Sequence, residues 1–376
     1  MTEGQRSAII IGAGPAGCSA AIHLARANWD VTLIEAKPFP RGKVCGEFIS
    51  PAATTYLEAL LPPDDLLRAG ARQVGSFVLE RGRRAITWPM PAPAWVLSRR
   101  TLDTLLVERA ADAGANVLQP VVVSRSECTT DHAHVTLRDG RTLAADIVIH
   151  ADGRGRFDGP SARLTPMRPG VVGLKCHLRL PSSHATSAIH IRSVRGAYVG
   201  LVAIEDGLAT LAMTVRTALV QRLAQDHDAL LASLWPAYDP AWRATNWLSS
   251  GIASSSYISP SHMRSFRVGN AAAAVEPVGG EGIGLALWSG ATLAALLARG
   301  VELATVQHSF AALYRTRLRF RRPACRSAAF VLERPALMAM LWPALTLAPT
   351  RHVLIAPWYA MTGKGDTARR SKACAT

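Results

Sequence analysis

Apolar positions along the chain follow two rhythms, one with the period of a strand and one with that of a helix, and they alternate most clearly near the N-terminus. Ser7 to Ile11 is a short apolar run rich in β-branched residues and bounded by glycine, which predicts a buried strand. Behind Gly12-Ala13-Gly14-Pro15-Ala16-Gly17, the residues Ala16, Ala20, Ala21, Leu24 and Ala25 recur at helical spacing, and Val31 to Ile34 predicts a second strand ending at Glu35. A further helix is expected from Arg99-Arg100-Thr101-Leu102-Asp103, with Leu102, Leu105, Leu106, Ala110 and Ala113 on one face and Gly114 as its stop. Strand patterns then follow at Val117 to Leu118, Val121 to Cys128, His134 to Leu137 and Thr142 to Ile149, with Asp139-Gly140 as a hairpin turn. Residues 160–258 mix both rhythms, with strands expected at Tyr198 to Val202 and Leu208 to Val215, and the segment from Arg315 onward reads as helical, apolar and proline-broken.

The first of these units has chemical content. A strand, a glycine-rich turn, a helix and a second strand ending in an acid form a βαβ dinucleotide-binding unit. Gly12 permits the tight turn, Gly14 lets a diphosphate approach the backbone, and Gly17 lets helix and strand pack closely. The helix start at Pro15 and Ala16 offers unpaired N–H groups and partial positive charge to that diphosphate. Glu35 can accept hydrogen bonds from ribose hydroxyls and disfavours a 2′-phosphate, so the nucleotide is expected to be FAD or NAD rather than NADP.

Two further segments bear on that choice. Pro40-Arg41-Gly42-Lys43-Val44-Cys45-Gly46-Glu47-Phe48-Ile49-Ser50-Pro51 resembles the loop after the second strand in the geranylgeranyl-reductase-like branch of flavoproteins. Phe266-Arg267-Val268-Gly269-Asn270-Ala271-Ala272, leading to Glu276-Pro277-Val278-Gly279-Gly280-Glu281-Gly282-Ile283-Gly284, is similar to the flavin-closing motif of the p-hydroxybenzoate-hydroxylase-like superfamily, which contains that branch. The resemblance implies a tightly bound FAD. On that reading Gly269 and Asn270 approach the ribityl chain, and a helix opening near Glu281, through Gly280, Gly282 and Ile283, points its positive end at the flavin. The family usually has Asp where Asn270 stands; Asn keeps the hydrogen-bonding capacity and drops the charge. Arg99 matches an arginine that the family turns toward FAD, with a solvated helix-start arginine as the alternative. Asp152, in Ala151-Asp152-Gly153, matches the aspartate of a second fingerprint, although Arg154-Gly155-Arg156 departs from the Ser and Arg that usually follow. Lys43 and Arg41 are expected on the FAD phosphates or a substrate acid, with plain surface charge as the alternative. Cys45 is the one candidate catalytic side chain, positioning substrate or donating a proton, against the reading of a small buried hydrophobe.

The expected architecture is therefore α/β: a Rossmann-type FAD-binding domain from residues 1–80, 97–160 and 260–300, interleaved with a mixed β-sheet substrate domain from 81–96 and 161–259. A helical cap is expected over 301–363 and a disordered basic tail over 364–376. With 376 residues, 49% hydrophobic and 18% charged, the chain can bury a large core. Lys plus Arg number 42 against 27 Asp plus Glu, a net charge of +15, but most of the basic residues are scattered arginines and no nucleic-acid-binding motif accompanies them, so nucleic acid is not an expected partner. Six cysteines without a CxxC pair or metal-ligand spacing predict a reduced, cytoplasmic setting and no metal. The run from Ala8 to Ala25 holds the glycine turn and is read as strand and helix rather than a signal peptide. Gly282 to Ala298 and Pro335 to Thr350 each fall short of a membrane span. The late apolar segment either packs on the core or rests peripherally on a membrane through Leu341, Trp342 and nearby basic residues.

With a single nucleotide fingerprint, NAD(P)H is expected only as a transient reductant over the flavin. The leading expectation is a monooxygenase acting on a lipophilic or polyketide-like small molecule, because that chemistry obliges no side chain to act as a base. A reductase or dehydrogenase acting on a carbon-carbon double bond, favoured by the Lys43-Val44-Cys45-Gly46 loop, is the alternative. A non-enzymatic flavin-binding partner protein comes third. Neither the substrate nor the oligomeric state follows from the sequence.

Overall fold

The computed structural model describes residues 5–153, 167–184, 187–224 and 226–364. Strand β1 (Ser7–Ile11) leads through the glycine turn into helix α1 (Pro15–Arg26) and returns as β2 (Asp30–Ile34). The chain then runs through β3 (Phe48–Ile49), α2 (Thr54–Glu58) and α3 (Pro63–Arg68) to a long hairpin, β4 (Arg72–Arg81) and β5 (Arg84–Val96). Helix α4 (Arg99–Asp112), capped by the Ser98 side chain, precedes β6 (Asn116–Leu118), β7 (Val123–Cys128), β8 (Ala133–Leu137), β9 (Thr142–Ala145) and β10 (Ile147–His150). Next come β11 (Met167–Leu178), β12 (Ile189–Val194), β13 (Ala197–Ala203), β14 (Ala209–Arg216), α5 (Thr217–Arg222), α6 (His227–Leu234), β15 (Leu248–Ala253) and β16 (Ser265–Arg267). Four helices close the chain: α7 (Glu281–Leu297), α8 (Leu303–Leu332), α9 (Pro335–Thr346) and α10 (Ala348–Met361).

The first sheet is all parallel, in the order β16-β10-β1-β2-β6. Its strands are apolar on both faces because both are covered. On one side Ala8, Ile10 and Leu33 meet α1, α4 and α7, and on the other Ile9, Ile11 and Val148 meet Val123, Val135 and Leu137 of the β7-β8-β9 meander. The chain leaves β1 toward β2 on one side and comes back at β10 on the other, so the crevice at the carboxyl end of β1 is a topological switch point, where α/β sheets bind ligands.

One predicted strand divides in two. The run Thr142 to Ile149 breaks at Asp146, whose carboxylate accepts hydrogen bonds from Ser7 N (2.7 Å) and Ser7 Oγ (2.9 Å). That anchor moves the chain from the meander, which holds β9, into the parallel sheet, which holds β10; period-2 patterning cannot show such a change of sheet.

The second sheet has eight strands, in the order β15-β11-β14-β13-β12-β4-β5-β3, antiparallel except for β12 beside β4. Helices α5 and α6 cover one stretch of it through Leu230, Leu231 and Leu219. The β4-β5 hairpin lies wholly in this sheet, so β4, expected with the nucleotide unit, pairs in the second sheet instead. Its apolar face explains the move, since Val74 and Phe77 pack with Ile189 and Val202 of the neighbouring strands.

Helix α8 begins at Leu303, near the start of the stretch expected as a helical cap, and runs through Pro323; the break comes at Glu333 and Arg334, where α8 and α9 meet at 106°. Trp342 is 5% exposed and packs with Leu79, Tyr198, Ala329 and Met338, so this indole serves the core and is not free for a membrane surface; Leu341 is 40% exposed. Among the described residues no single helix is long and apolar enough to cross a membrane, and the strongly apolar α7 is mostly buried. Lys364, expected to open a disordered tail, is instead buried, and its ammonium donates to Glu281 Oε1 (2.8 Å) and Gly279 O (2.9 Å). The rest of that tail lies outside the described residues, as do Arg154, Gly155 and Arg156.

Candidate functional site: a nucleotide cradle and a buried charge network

Close helix packing brings the separated motifs together. Gly290 of α7 lies so near α1 that a Cβ there would meet Ala16 O at 2.5 Å, and Ser19 Oγ of α1 donates to Leu287 O (2.8 Å). Ser289 accepts a hydrogen bond from Gly269 N (2.9 Å), and a Cβ on Gly269 would fall 2.7 Å from the Ala16 methyl. The start of α1 and the Gly269-Asn270 turn are thus neighbours although the sequence separates them widely. Asn270 is exposed, and Ile283, inside α7, is buried.

Both helix starts are open. Helix α1 has Gly14 as its N-cap and Pro15 at its first turn, α7 has Gly280 in a left-handed conformation, and neither cap makes a side-chain hydrogen bond. Nothing lies within 4 Å of where a Cβ would stand on Gly14 or Gly282. Gly12, at φ +103°, packs against Ala151 and Asp152, and Gly17 against Gly12 O, so these two glycines close the turn while Gly14 leaves room above it.

Cations and acids surround this opening. Glu35, on the end of β2, accepts from Ala13 N (3.0 Å), Lys37 N (3.1 Å) and Arg41 Nη2 (3.2 Å). A carboxylate has about four acceptor sites, so capacity for ribose hydroxyls remains. The Arg41 Nε is buried without a partner. Lys43 reaches toward Gly153, beside Asp152 at the end of β10. Its side chain keeps solvent access, while desolvation by the surrounding protein and then the Arg99 charge lower its ammonium to about 8. An arriving diphosphate would restore its charge. Open glycine, an uncapped helix start, an unpartnered guanidinium nitrogen and an acid with acceptor capacity left fit the adenosine diphosphate portion of FAD, and the second helix start fits its flavin end.

Arg99 is buried and bound bidentately to Asp103 (2.7 and 2.6 Å). Burial alone would lower its pKa, but the Asp103 charge and hydrogen bonds, and then the neighbouring Cys45 thiol, raise it further above its ordinary value. The arginine expected to face FAD is therefore braced by the acid of its own motif and stands beside Cys45.

Sequence reasoning missed the centre of the loop that carries Cys45. Glu47 is fully buried, holds a left-handed backbone (φ +56°), and gathers partners from three elements. Its carboxylate accepts from the Lys175 ammonium, from Thr210 Oγ1, from His177 Nε2 (2.8 Å) and from Arg99 N (2.6 Å). Burial opposes its ionisation, yet the His177 hydrogen bond and the Lys175 charge win and hold the carboxyl at about 2. Its N–H points at Cys45 Sγ (3.3 Å), and Phe48 next to it packs against Gly280 of the flavin-closing motif. The available signal was Lys175 and His177 at i and i+2 in β11, a polar face on a strand whose other face, Leu174, Cys176 and Leu178, is core.

Known proteins resemble this chain in sequence and in fold. The family described as FAD dependent oxidoreductase matches residues 7–61, the first βαβ unit and the loop after it. The chain is 30% identical over 317 residues, 78% of its length and 76% of the relative's, to the menaquinone reductase of Mycolicibacterium smegmatis. Over 165 residues, 42% of each chain, it is 34% identical to digeranylgeranylglycerophospholipid reductase 1 of Methanopyrus kandleri. The fold matches PqsL of Pseudomonas aeruginosa, a probable FAD-dependent monooxygenase, with a TM-score of 0.69 at 17% identity, covering 90% of this chain and all of that one. The protein belongs to the FAD-dependent oxidoreductases of the p-hydroxybenzoate-hydroxylase-like superfamily. It is an enzyme, and FAD is its cofactor.

Proposed function

We propose that the protein is a reductase that adds hydrogen to an unsaturated, lipophilic substrate of the isoprenoid-quinone class. The observation that carries this reading is the Cys45 thiol, half-buried beside the Arg99 guanidinium and the Glu47 N–H, on a loop that adjoins both nucleotide motifs. Oxygen insertion needs no side-chain proton donor, whereas saturating a double bond needs one. Bound FAD, reduced by NAD(P)H, supplies the hydride. Cys45 gives the proton to the second carbon, and Arg99 and the Glu47 N–H hold the resulting thiolate until solvent reprotonates it. Glu47, tied to Lys175, His177 and Thr210, fixes the loop so that the thiol keeps its place. The similarity to a menaquinone reductase over three quarters of both chains supports a quinone-bearing substrate.

Anaerobic incubation of reduced holoenzyme with menaquinone tests the proposal. The expected product carries two added hydrogens, and Cys45→Ala slows its formation about a hundredfold while the flavin spectrum is kept. Turnover that requires oxygen and leaves labelled oxygen in the product would establish the monooxygenase reading instead.

A further inference from the structure

A second site lies at the far end of the β4-β5 hairpin. A cavity of about 760 Å³ is lined by Arg81, Arg83, Arg84 and Arg195, with Ser193, Val194, Leu219 and Pro335 among its walls. The arginines come from two adjacent turns, Arg81-Gly82-Arg83-Arg84 between β4 and β5 and the Arg195 turn between β12 and β13, which the β4-β12 pairing sets side by side.

The charge here is uncompensated. Among the described residues no carboxylate lines the cavity, and none of the four arginines makes an ion pair. The nearest acids are already engaged: Glu80 with His190 (2.6 Å) and Arg192 (2.5 Å), and Glu333 with Arg168 (2.8 Å). Arg81 and Arg84 are moreover direct cross-strand partners, and like charges in that position destabilise a hairpin. A turn that concentrates like charge against its own stability is explained by an anion that bridges it. Planar guanidiniums from two directions suit tetrahedral phosphate oxygens, which they can bind bidentately.

We propose that this cavity binds a phosphate- or diphosphate-bearing ligand. It is separate from the nucleotide cradle, because the other end of the hairpin, where Leu97 N meets Glu47 O, is about 30 Å away along a ten-residue strand. The apolar walls at Val194, Leu219 and Pro335 leave room for the organic part of such a ligand. Lipid headgroups and free phosphate esters share this chemistry.

The test uses FAD-loaded full-length protein in two arms: calorimetric titration with inorganic pyrophosphate, and flotation with phosphatidylglycerol vesicles against phosphatidylcholine vesicles. Wild-type protein is expected to bind in at least one arm, and R83Q/R84Q/R195Q to bind roughly tenfold more weakly or worse with unchanged FAD content. R138Q/R299Q/R315Q, which removes the same charge from exposed positions elsewhere, is expected to bind as wild type. Saturable pyrophosphate binding without flotation identifies a free phosphate ester, flotation with phosphatidylglycerol that pyrophosphate competes away identifies a lipid headgroup, and flotation that pyrophosphate leaves unchanged counts against the cavity. Equal weakening in both triple variants, or wild-type binding in neither arm, overturns the proposal.

Discussion

The nucleotide cradle and the Glu47 network adjoin each other, yet they are built on opposite principles. The cradle is made of absence: glycines without side chains, helix starts without caps, and backbone N–H groups left open for a ligand. The network is made of presence, a fully buried carboxylate that takes hydrogen bonds from Lys175, His177, Thr210 and the Arg99 backbone. The cradle leaves its glycines and helix starts open, where the sequence motifs lead one to expect FAD. The network holds the loop between cradle and second sheet by satisfying every charge within the protein, which makes it stiff and intolerant of losing one member.

The largest expected effect separates two glycines of the cradle itself. At Gly12 a valine needs a left-handed backbone and its Cβ falls 2.7 Å from Ala151 O, so Gly12→Val is expected to yield misfolded, colourless protein. At Gly14 there is open space, so Gly14→Ala is expected to fold with an unchanged melting temperature while FAD affinity falls on the order of a hundredfold, read by flavin fluorescence titration. Equal loss of folding in both variants would show that the turn, and not ligand access, explains all its glycines.

That contrast also accounts for what the sequence revealed. Gly12, Gly14, Gly17 and Glu35 lie within one βαβ unit, so their spacing alone encodes their geometry. Gly269, Gly280 and Gly282 were legible because a long motif surrounds them and a helix follows. Glu47 was not, because its partners stand 128, 130 and 163 residues away and only the second sheet brings them in. Nor does local patterning show Asp146, which ends one strand and starts another in a different sheet by reaching back to Ser7. Trp342 stays ambiguous in the sequence for a related reason: an apolar helix looks alike whether its indole faces lipid or, as here, Tyr198 and Leu79.

The network should respond in the next largest degree. Glu47→Gln leaves Lys175 buried without a counter-charge and is expected to lose about 3–5 kcal/mol of stability by denaturant unfolding. The pH dependence has a definite sign. The Glu47 carboxyl sits at about 2 in the folded chain, below the ordinary 4.5, so its contribution is fully present above pH 4.5 and drains away as pH falls toward 2. Wild-type stability should therefore drop more steeply across that acid window than stability of Glu47→Gln. Parallel acid limbs in the two proteins would mean that the carboxylate is not the charge that ties the loop to the second sheet.

The smallest effect belongs to Lys43, the residue where cradle and network meet, since its carbonyl accepts from the Lys175 ammonium (3.3 Å) while its own ammonium reaches the cradle. Crowding and the Arg99 charge lower that ammonium to about 8 in the unliganded protein, so above pH 8 an increasing share of the protein must take up a proton to receive a diphosphate. FAD affinity of the wild type is expected to weaken as pH rises from 7 to 9, by about tenfold at most, whereas Lys43→Gln binds more weakly at pH 7 and follows a flatter curve. The substitution keeps the backbone carbonyl that Lys175 uses, so unfolding stability should hold. A loss of stability with the pH profile of FAD binding intact would place Lys43 in the network instead of the cradle, and the boundary between the two regions would have to move toward the glycine turn.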